Sequence, residues 1–147
     1  MNQVQASELL YFTCKLQGAE FTCLLDSGAG RTFLDYKTAV KRGISLESLE
    51  ESFEVKVADG SVIKCRHQVD RKSNVLKFKQ FKHRAPIYVL DLNEQHQIIL
   101  GQDFLKARNP IIDWQERTMT LRKRHRYNAQ AAVMTDDDYV TSVTIIR

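Results

Sequence analysis

Short apolar runs that alternate with polar residues recur along the chain and predict a mainly β protein. Leu9 to Leu16 and Glu20 to Leu25 have the length and the period of two strands, joined by a turn at Gln17-Gly18. If Gly18 and Ala19 form the tip of this hairpin, Cys14 and Cys23 fall directly opposite each other. We expect these two cysteines to be packed, reduced thiols.

A second hairpin is predicted in the middle of the chain. Phe53, Val55 and Val57 alternate with charged residues, Asp59-Gly60 is a strong turn signal, and Val62-Ile63 resumes the apolar pattern. An ordinary surface hairpin and a flap over a binding cleft fit this pattern equally well.

Residues 35–43 are the clearest helical segment. Asp35 is a suitable N-cap, Tyr36, Ala39 and Val40 follow at helical spacing, and Gly43 provides a stop. We expect the apolar face of this helix to cover the sheet.

One basic segment invites comparison with nucleic-acid surfaces. Leu76, Phe78 and Phe81 are interleaved with basic residues, namely Lys77, Lys79, Lys82, His83 and Arg84. The net charge of +4 is modest and the basic residues are spread along the chain. We therefore interpret the segment as a strand with one solvated face and expect no nucleic-acid partner for this domain.

Length and composition suit one domain with a single core. The chain has 147 residues, without an apolar stretch that would span a bilayer or an N-terminal signal peptide. This predicts a protein of the cytoplasm without a membrane partner. Three cysteines and four scattered histidines lack metal-ligand spacing, so neither a metal nor another cofactor is expected.

The composition changes near residue 122. A basic run is followed by three aspartates and then by the strand-like segment Tyr139 to Ile146. We place a domain at residues 1–122 and a C-terminal extension at 123–147, which is a linker to a next polyprotein segment or a pairing strand.

Asp26-Ser27-Gly28 is the candidate catalytic motif. It follows the apolar run 21–25, so a carboxylate lies where a buried strand ends in a turn. Downstream, Ile99-Leu100-Gly101 repeats the order of buried strand and glycine, before Gln102-Asp103 and a helix start. The same three residues also form surface turns, and only the second glycine loop raises the specificity of the motif.

Together these motifs resemble the retropepsins, the aspartic proteases of retroviruses and LTR retrotransposons, and in particular the gypsy-type branch. The resemblance covers roughly residues 8 to 122. It includes Leu24 to Ala29 for the active-site loop, Val57 to Ser61 for a flap, Ile99 to Gly101 for the second loop and Asn109 to Trp114 for the closing segment. It implies a mainly β fold, the closed β-barrel half of an acid protease with one or two short helices.

The resemblance also implies an aspartic endopeptidase that cleaves polyproteins, in the cytoplasm or in virus-like particles. Two carboxylates must share a proton around one water, and each chain offers one Asp-Ser-Gly. Asp103 and Asp113 lack the Ser/Thr-Gly pair, and Asp103 is better explained as a helix cap. A homodimer would pair Asp26 with its copy, and Ser27 would bond across the twofold axis.

The predicted substrate site surrounds this loop and lies under the flap. It comprises Leu24, Ala29, Gly30, Phe33, Val57, Ala58, Asp59, Gly60 and Ile99, beside the glycine Gly28 that admits a substrate backbone. These residues predict apolar substrate side chains around the cut, with Arg31 and Gln97 adding polar selectivity. Retroviral enzymes commonly have an acidic residue two positions after the active-site glycine and an arginine after the second glycine, which form a supporting ion pair. This chain has Gly30 and Gln102 at these positions, so both members of the ion pair are absent.

Three other interpretations remain open on the sequence alone. A retropepsin-like domain without activity would serve as a dimerisation or peptide-binding module. A small basic RNA-binding domain would bind with strong salt dependence. In a β-rich domain whose Asp-Ser-Gly is an ordinary turn, Asp26 would have no catalytic role.

Overall fold

The computed structural model describes residues 9–57, 59–79, 81–122 and 139–144. These residues form two helices and twelve strands. The helices are α1 (Tyr36–Lys41) and α2 (Gln102–Arg108). The strands are β1 (Tyr11–Leu16), β2 (Ala19–Leu25), β3 (Phe33–Asp35), β4 (Leu46–Lys56), β5 (Val62–Val69), β6 (Val75–Lys77), β7 (Lys82–Arg84), β8 (Tyr88–Leu90), β9 (Ile98–Leu100), β10 (Ile111–Asp113), β11 (Thr118–Arg122) and β12 (Tyr139–Thr144).

Nine strands form one curled sheet in the order β4-β5-β8-β3-β9-β2-β1-β6-β7. The pairs β2–β9 and β3–β8 are parallel, and the other pairs are antiparallel. The largest fully buried side chains include Phe12, Phe21 and Phe104. The main core therefore joins the first hairpin to α2, on the concave side that the curled sheet encloses.

The turn between β1 and β2 corrects the predicted register. Gln17 and Gly18 both have positive φ, 51° and 83°, as in the two-residue turns that match the strand twist. Leu16 thus faces Ala19, and Cys14 faces Phe21 instead of Cys23. The prediction of a directly opposite cysteine pair is wrong, because the partner of Cys14 is two residues before Cys23.

The two cysteines nevertheless meet diagonally on the buried face of the hairpin. Their Sγ atoms are 2.6 Å apart, and both thiols are free and buried. Burial, followed by the hydrogen bond and the charge of Cys14, raises the pKa of Cys23. These are packed thiols without a disulfide, as expected.

Helix α1 is confirmed, but its predicted apolar face is not. The Asp35 carboxylate caps it by accepting from Thr38 N at 2.9 Å, and Gly43 follows its end with φ 68°. Ala39 is buried, whereas Tyr36 and Val40 are 44% and 57% exposed. Six residues make fewer than two turns, so only a narrow stripe contacts the sheet.

Asp35 does more than cap the helix. Its second carboxylate oxygen accepts from Leu92 N at 2.8 Å and from Glu94 N, which ties α1 to the loop before β9. Burial alone would raise the pKa of Asp35, but the bonds from Thr38, Leu92 and Glu94 outweigh it and leave that pKa lowered.

The basic segment 75–84 is two strands and not one. β6 and β7 pair as a hairpin, and Phe78 N donates to Phe81 O across its loop. Phe78 is buried and stacks on Phe81 with 4.4 Å between the ring centroids. The prediction of a single strand is therefore wrong, although a solvated basic face is present.

The three strands β10, β11 and β12 form a separate antiparallel sheet. β12, which belongs to the predicted C-terminal extension, pairs with β11 of the same chain. The stretch 123–138 lies outside the described residues, as do residues 145–147.

Candidate active site

Asp26 lies directly after the last residue of β2, where the sheet ends. Its backbone N donates to Leu100 O at 3.0 Å, and its half-buried carboxylate accepts from Gly28 N at 2.9 Å. Ala29 N donates to Asp26 O and closes the turn. The loop therefore holds the carboxylate at the surface by backbone bonds on both sides.

The second glycine loop lies beside the first because β9 runs parallel to β2. Leu25 is in register with Leu100, so both strands end at the same edge of the sheet. A Cβ on Gly101 would lie 2.5 Å from Ala29 O and 2.3 Å from Arg31 O. Only glycine permits this approach of the two loops.

Gln102 links the two loops by two hydrogen bonds. Its backbone N donates to Ala29 O at 2.7 Å, and its side-chain Nε2 donates to Ser27 O at 2.6 Å. The neutral amide thus contacts the catalytic loop without requiring a carboxylate at Gly30. This contact was not predicted from the sequence, where Gln102 was noted only as a departure from the retroviral pattern.

Asp103 is not the cap of α2, contrary to the prediction. The N-cap is Gly101, and the Asp103 carboxylate accepts from Thr32 N at 3.2 Å and Thr32 Oγ1 at 2.9 Å. Thr32 is fully buried, so this carboxylate satisfies a polar group behind the active-site loop. Asp113 is exposed and accepts from Glu116 N.

Three predicted substrate-site residues share a small apolar cluster with the second hairpin. Phe33 is buried there, and Ala29 and Ile99 pack against it together with Phe53, Val55 and Ile63. Leu24 is buried and faces Ile99 in the parallel pair of strands, but it belongs to neither apolar cluster. The structure therefore joins the active-site loop to the half of the hairpin nearest its turn.

The hairpin β4–β5 ends in a compact loop. Val57 N donates to Ser61 O, and Gly60, with φ 89°, donates to Val57 O. Asp59 accepts from the hydroxyl and the N–H of Ser61, which lowers the pKa of Asp59. Val57 is half-buried, Asp59 and Gly60 are exposed, and Ala58 lies outside the described residues.

Arg31 and Tyr88 add a polar group at the edge of the apolar cluster. The exposed Arg31 guanidinium lies 5.5 Å from the Tyr88 ring centroid, and its Nη1 bonds the Tyr88 hydroxyl at 3.4 Å. Tyr88 also contacts Phe53 edge-to-face at 5.1 Å. Tyr88 was missed by the sequence analysis because nothing in its local pattern connects it to residue 31.

Gln97 does not lie near the predicted cleft. It stands at the far end of β9 from Gly101, and its Oε1 accepts from Thr22 N at 2.8 Å. Its backbone O accepts from Asp35 N. Gln97 is therefore not beside the second glycine loop as expected, and its role in substrate selectivity stays a prediction.

The described residues contain no cluster of His, Cys, Asp or Glu that would hold a metal ion. In the same parts of the chain, no helix is long and apolar enough to cross a membrane.

The chain carries the sheet and the paired glycine loops of an acid-protease half. Residues 22–129 match the family described as the PEG10/RTL1 protease domain, and the chain belongs to this family. The retroviral protease-like domain of Ddi1 from Leishmania major has a similar structure, with a TM-score of 0.62 over 95% of this chain and 94% of that one. Their sequence identity is 17%, so this likeness concerns the fold alone. No curated protein matches the chain.

These matches confirm the predicted retropepsin-like, mainly β fold and the resemblance to gypsy-derived proteases.

Proposed function

We propose that this domain is an aspartic endopeptidase in which two copies of the chain each contribute Asp26. One observation carries the proposal: Asp26 and Gly101 end two parallel strands at the same edge of the sheet, and Gln102 bonds the catalytic loop at Ser27 and Ala29. The loop fixes the half-buried Asp26 carboxylate in a position where it can hydrogen-bond a water molecule. Membership of a protease family supports the same reading.

In the proposed dimer, the two Asp26 carboxylates share one proton around a water molecule. The ionised carboxylate removes a proton from the water while the other protonates the substrate carbonyl, and symmetry allows the roles to exchange. Because this mechanism needs one protonated and one ionised carboxylate, we expect activity to be highest on the acidic side of neutral. Ser27 stabilises the pairing of the two loops.

The substrate is proposed to be an extended segment of a polyprotein, bound beneath the hairpin β4–β5 as an added strand. The apolar cluster around Phe33 and Ile99 favours apolar side chains next to the cut. The exposed guanidinium of Arg31 lies over the Tyr88 ring, and its positive charge favours an acidic substrate residue at the edge of this cluster. The cytoplasm or a virus-like particle is the proposed place of action.

The dimer needs a surface with free strand edges. In the described part of the separate sheet formed by β10, β11 and β12, β11 is paired on both sides, by β10 and β12. Strand addition between two copies would therefore use an outer strand of this sheet. This favours β12 (Tyr139–Thr144), the described part of the predicted pairing segment Tyr139 to Ile146, over β11 (Thr118–Arg122) as the interface strand.

The test compares the wild type with Asp26→Asn for cleavage of a mixed peptide library from acidic to neutral pH. Asp113→Asn is the matched control because this carboxylate is exposed and belongs to the last residue of β10. Sedimentation of all three proteins reports their oligomeric state. We expect wild type and Asp113→Asn to cut as dimers and Asp26→Asn to form a dimer that does not cut.

Cleavage by Asp26→Asn at the wild-type rate would refute the proposed catalyst. Dimers of the wild type that bind peptides without cutting them would favour the second function, a catalytically silent peptide-binding module.

A further inference from the structure

Three lysines stand side by side on the outer face of strands β1, β6 and β7. Lys15 faces Lys77, and Lys77 faces Lys82, in the register of the two antiparallel pairs. All three side chains are exposed. We call Lys15, Lys77 and Lys82 the lysine row; with strands about 4.8 Å apart, it extends about 10 Å across the sheet.

The opposite face of the same strands is part of the core. There Leu16 faces Leu76, and Leu76 faces His83, and all three are buried. Because the inner row is fixed by packing, a slip of one residue would bury the lysines. The core therefore determines that the three charges are neighbours.

Like charges directly opposite each other destabilise a sheet, so the lysine row is unfavourable for folding. No carboxylate of the described residues forms a salt bridge with any of the three. Glu20 is next in the row, opposite Lys15 on β2, but it is not within salt-bridge distance. Within the described residues, the lysine row thus has no acidic partner.

We propose that the lysine row binds the phosphate backbone of single-stranded nucleic acid. Lysine ammonium groups are point charges without the planar fork that selects one carboxylate geometry, and three at regular spacing suit a chain of repeated charges. On the sequence alone no nucleic-acid partner is expected for this domain, because the net charge of +4 is modest and the basic residues are spread along the chain. The strand register changes this expectation, since it places Lys15 beside Lys77, 62 residues further on. The interaction carries no sequence preference, since the row offers no groups that read bases.

The lysine row and the proposed cleft lie at different ends of the sheet. The hairpin β4–β5 forms one edge, and β7 forms the other. Lys15 faces Glu20 near the start of β2, whereas Asp26 follows the last residue of that strand. Nucleic acid on the lysine row would therefore leave the active-site loop open, and a protease of this kind would act while attached to a nucleic acid near its substrate.

The experiment measures binding of a fluorescent oligouridylate by anisotropy at several salt concentrations. The variant Lys15→Gln/Lys77→Gln/Lys82→Gln is compared with the wild type and with Lys37→Gln/Lys56→Gln/Lys64→Gln. The control removes the same charge from three exposed lysines on α1, β4 and β5. All three proteins keep the basic run after Leu121, so its contribution cancels.

Each phosphate contact to single-stranded nucleic acid contributes about 0.7 to the slope of log affinity against log salt concentration. Loss of three contacts should therefore make this slope shallower by about 2 in the lysine-row variant, whereas the control variant should keep the wild-type slope. This corresponds to an extra loss of about twentyfold for the wild type between 50 and 200 mM salt. Thermal unfolding provides the folding check: loss of repulsion should leave the melting temperature of the variant equal or higher.

Two results would overturn the proposal. Equal loss of binding in the control would show that only net charge matters. Tighter binding of a poly-glutamate peptide of matched charge, in competition with the oligouridylate, would show that the lysine row serves an acidic protein partner.

Discussion

Replacing Gly101 by alanine should separate the two loops of the candidate active site. The added Cβ would lie 2.3 Å from Arg31 O and 2.5 Å from Ala29 O, and real Cβ atoms do not approach backbone this closely. The φ of Gly101 is −102°, which is extended backbone that alanine adopts without strain. The effect of the substitution is therefore one of space alone.

The magnitude follows from two terms. Overpacking of a tight site costs about 1–3 kcal/mol. Displacement of Ala29 also weakens its bond from Gln102 N, 2.7 Å in the structure, worth about 1 kcal/mol. Together the free energy of unfolding should fall by about 2–4 kcal/mol, which for a chain of 147 residues lowers the melting temperature by about 5–15 °C.

The assay is thermal and urea unfolding of Gly101→Ala beside Gly30→Ala. A Cβ on Gly30 would meet no atom within 4 Å, so this neighbouring glycine is the control. We expect Gly30→Ala to unfold within about 2 °C of the wild type. Equal melting temperatures for Gly101→Ala and Gly30→Ala would refute the inferred close contact of the loops.

Two further substitutions test other parts of the site. Asp35→Asn should lower the free energy of unfolding at pH 7 by about 2 kcal/mol, because the amide has no charge and keeps only one acceptor oxygen, so it cannot serve both Thr38 and Leu92. Folding lowers the pKa of Asp35, so the ionised carboxylate stabilises the protein fully above its unfolded pKa of about 3.9. This stabilisation is lost as the pH falls through the folded pKa. In urea unfolding, the difference in stability between wild type and Asp35→Asn should therefore become smaller below about pH 4. Gln102→Ala removes the bond to Ser27 O, and we expect peptide cleavage to slow by about three- to tenfold with little change in melting temperature. Unchanged cleavage would show that this bond does not hold the catalytic loop.

Much of the fold follows from local patterns. The alternation around Val55 and the Asp59-Gly60 turn predicted the hairpin β4–β5, and Asp35 with Gly43 predicted the start and the end of α1. These features depend on residues close together in sequence. The retropepsin-like fold itself was predicted from the order of the glycine motifs.

The contacts that assemble the site were not predictable in this way. The partner of Asp103 is Thr32, 71 residues earlier, and Gln102 reaches Ser27 over 75 residues. Both contacts exist because β9 lies parallel to β2, which is a long-range pairing without a local signal. The predicted register of the first hairpin was wrong for a local reason. The turn is formed by Gln17 and Gly18, which both have positive φ, and not by Gly18 and Ala19.

The central claim is that two chains share one active site, and a mixing experiment tests it most directly. Wild-type protein is refolded together with a threefold excess of Asp26→Asn, and peptide cleavage is measured at a fixed amount of wild type. If both Asp26 residues are required, a wild-type chain finds a wild-type partner about one time in four, and activity should fall to about a quarter. The same excess of Asp113→Asn, which is expected to be fully active, is the control and should raise activity about fourfold. Activity that is unchanged by the Asp26→Asn chains would show that each chain acts alone and would contradict the account.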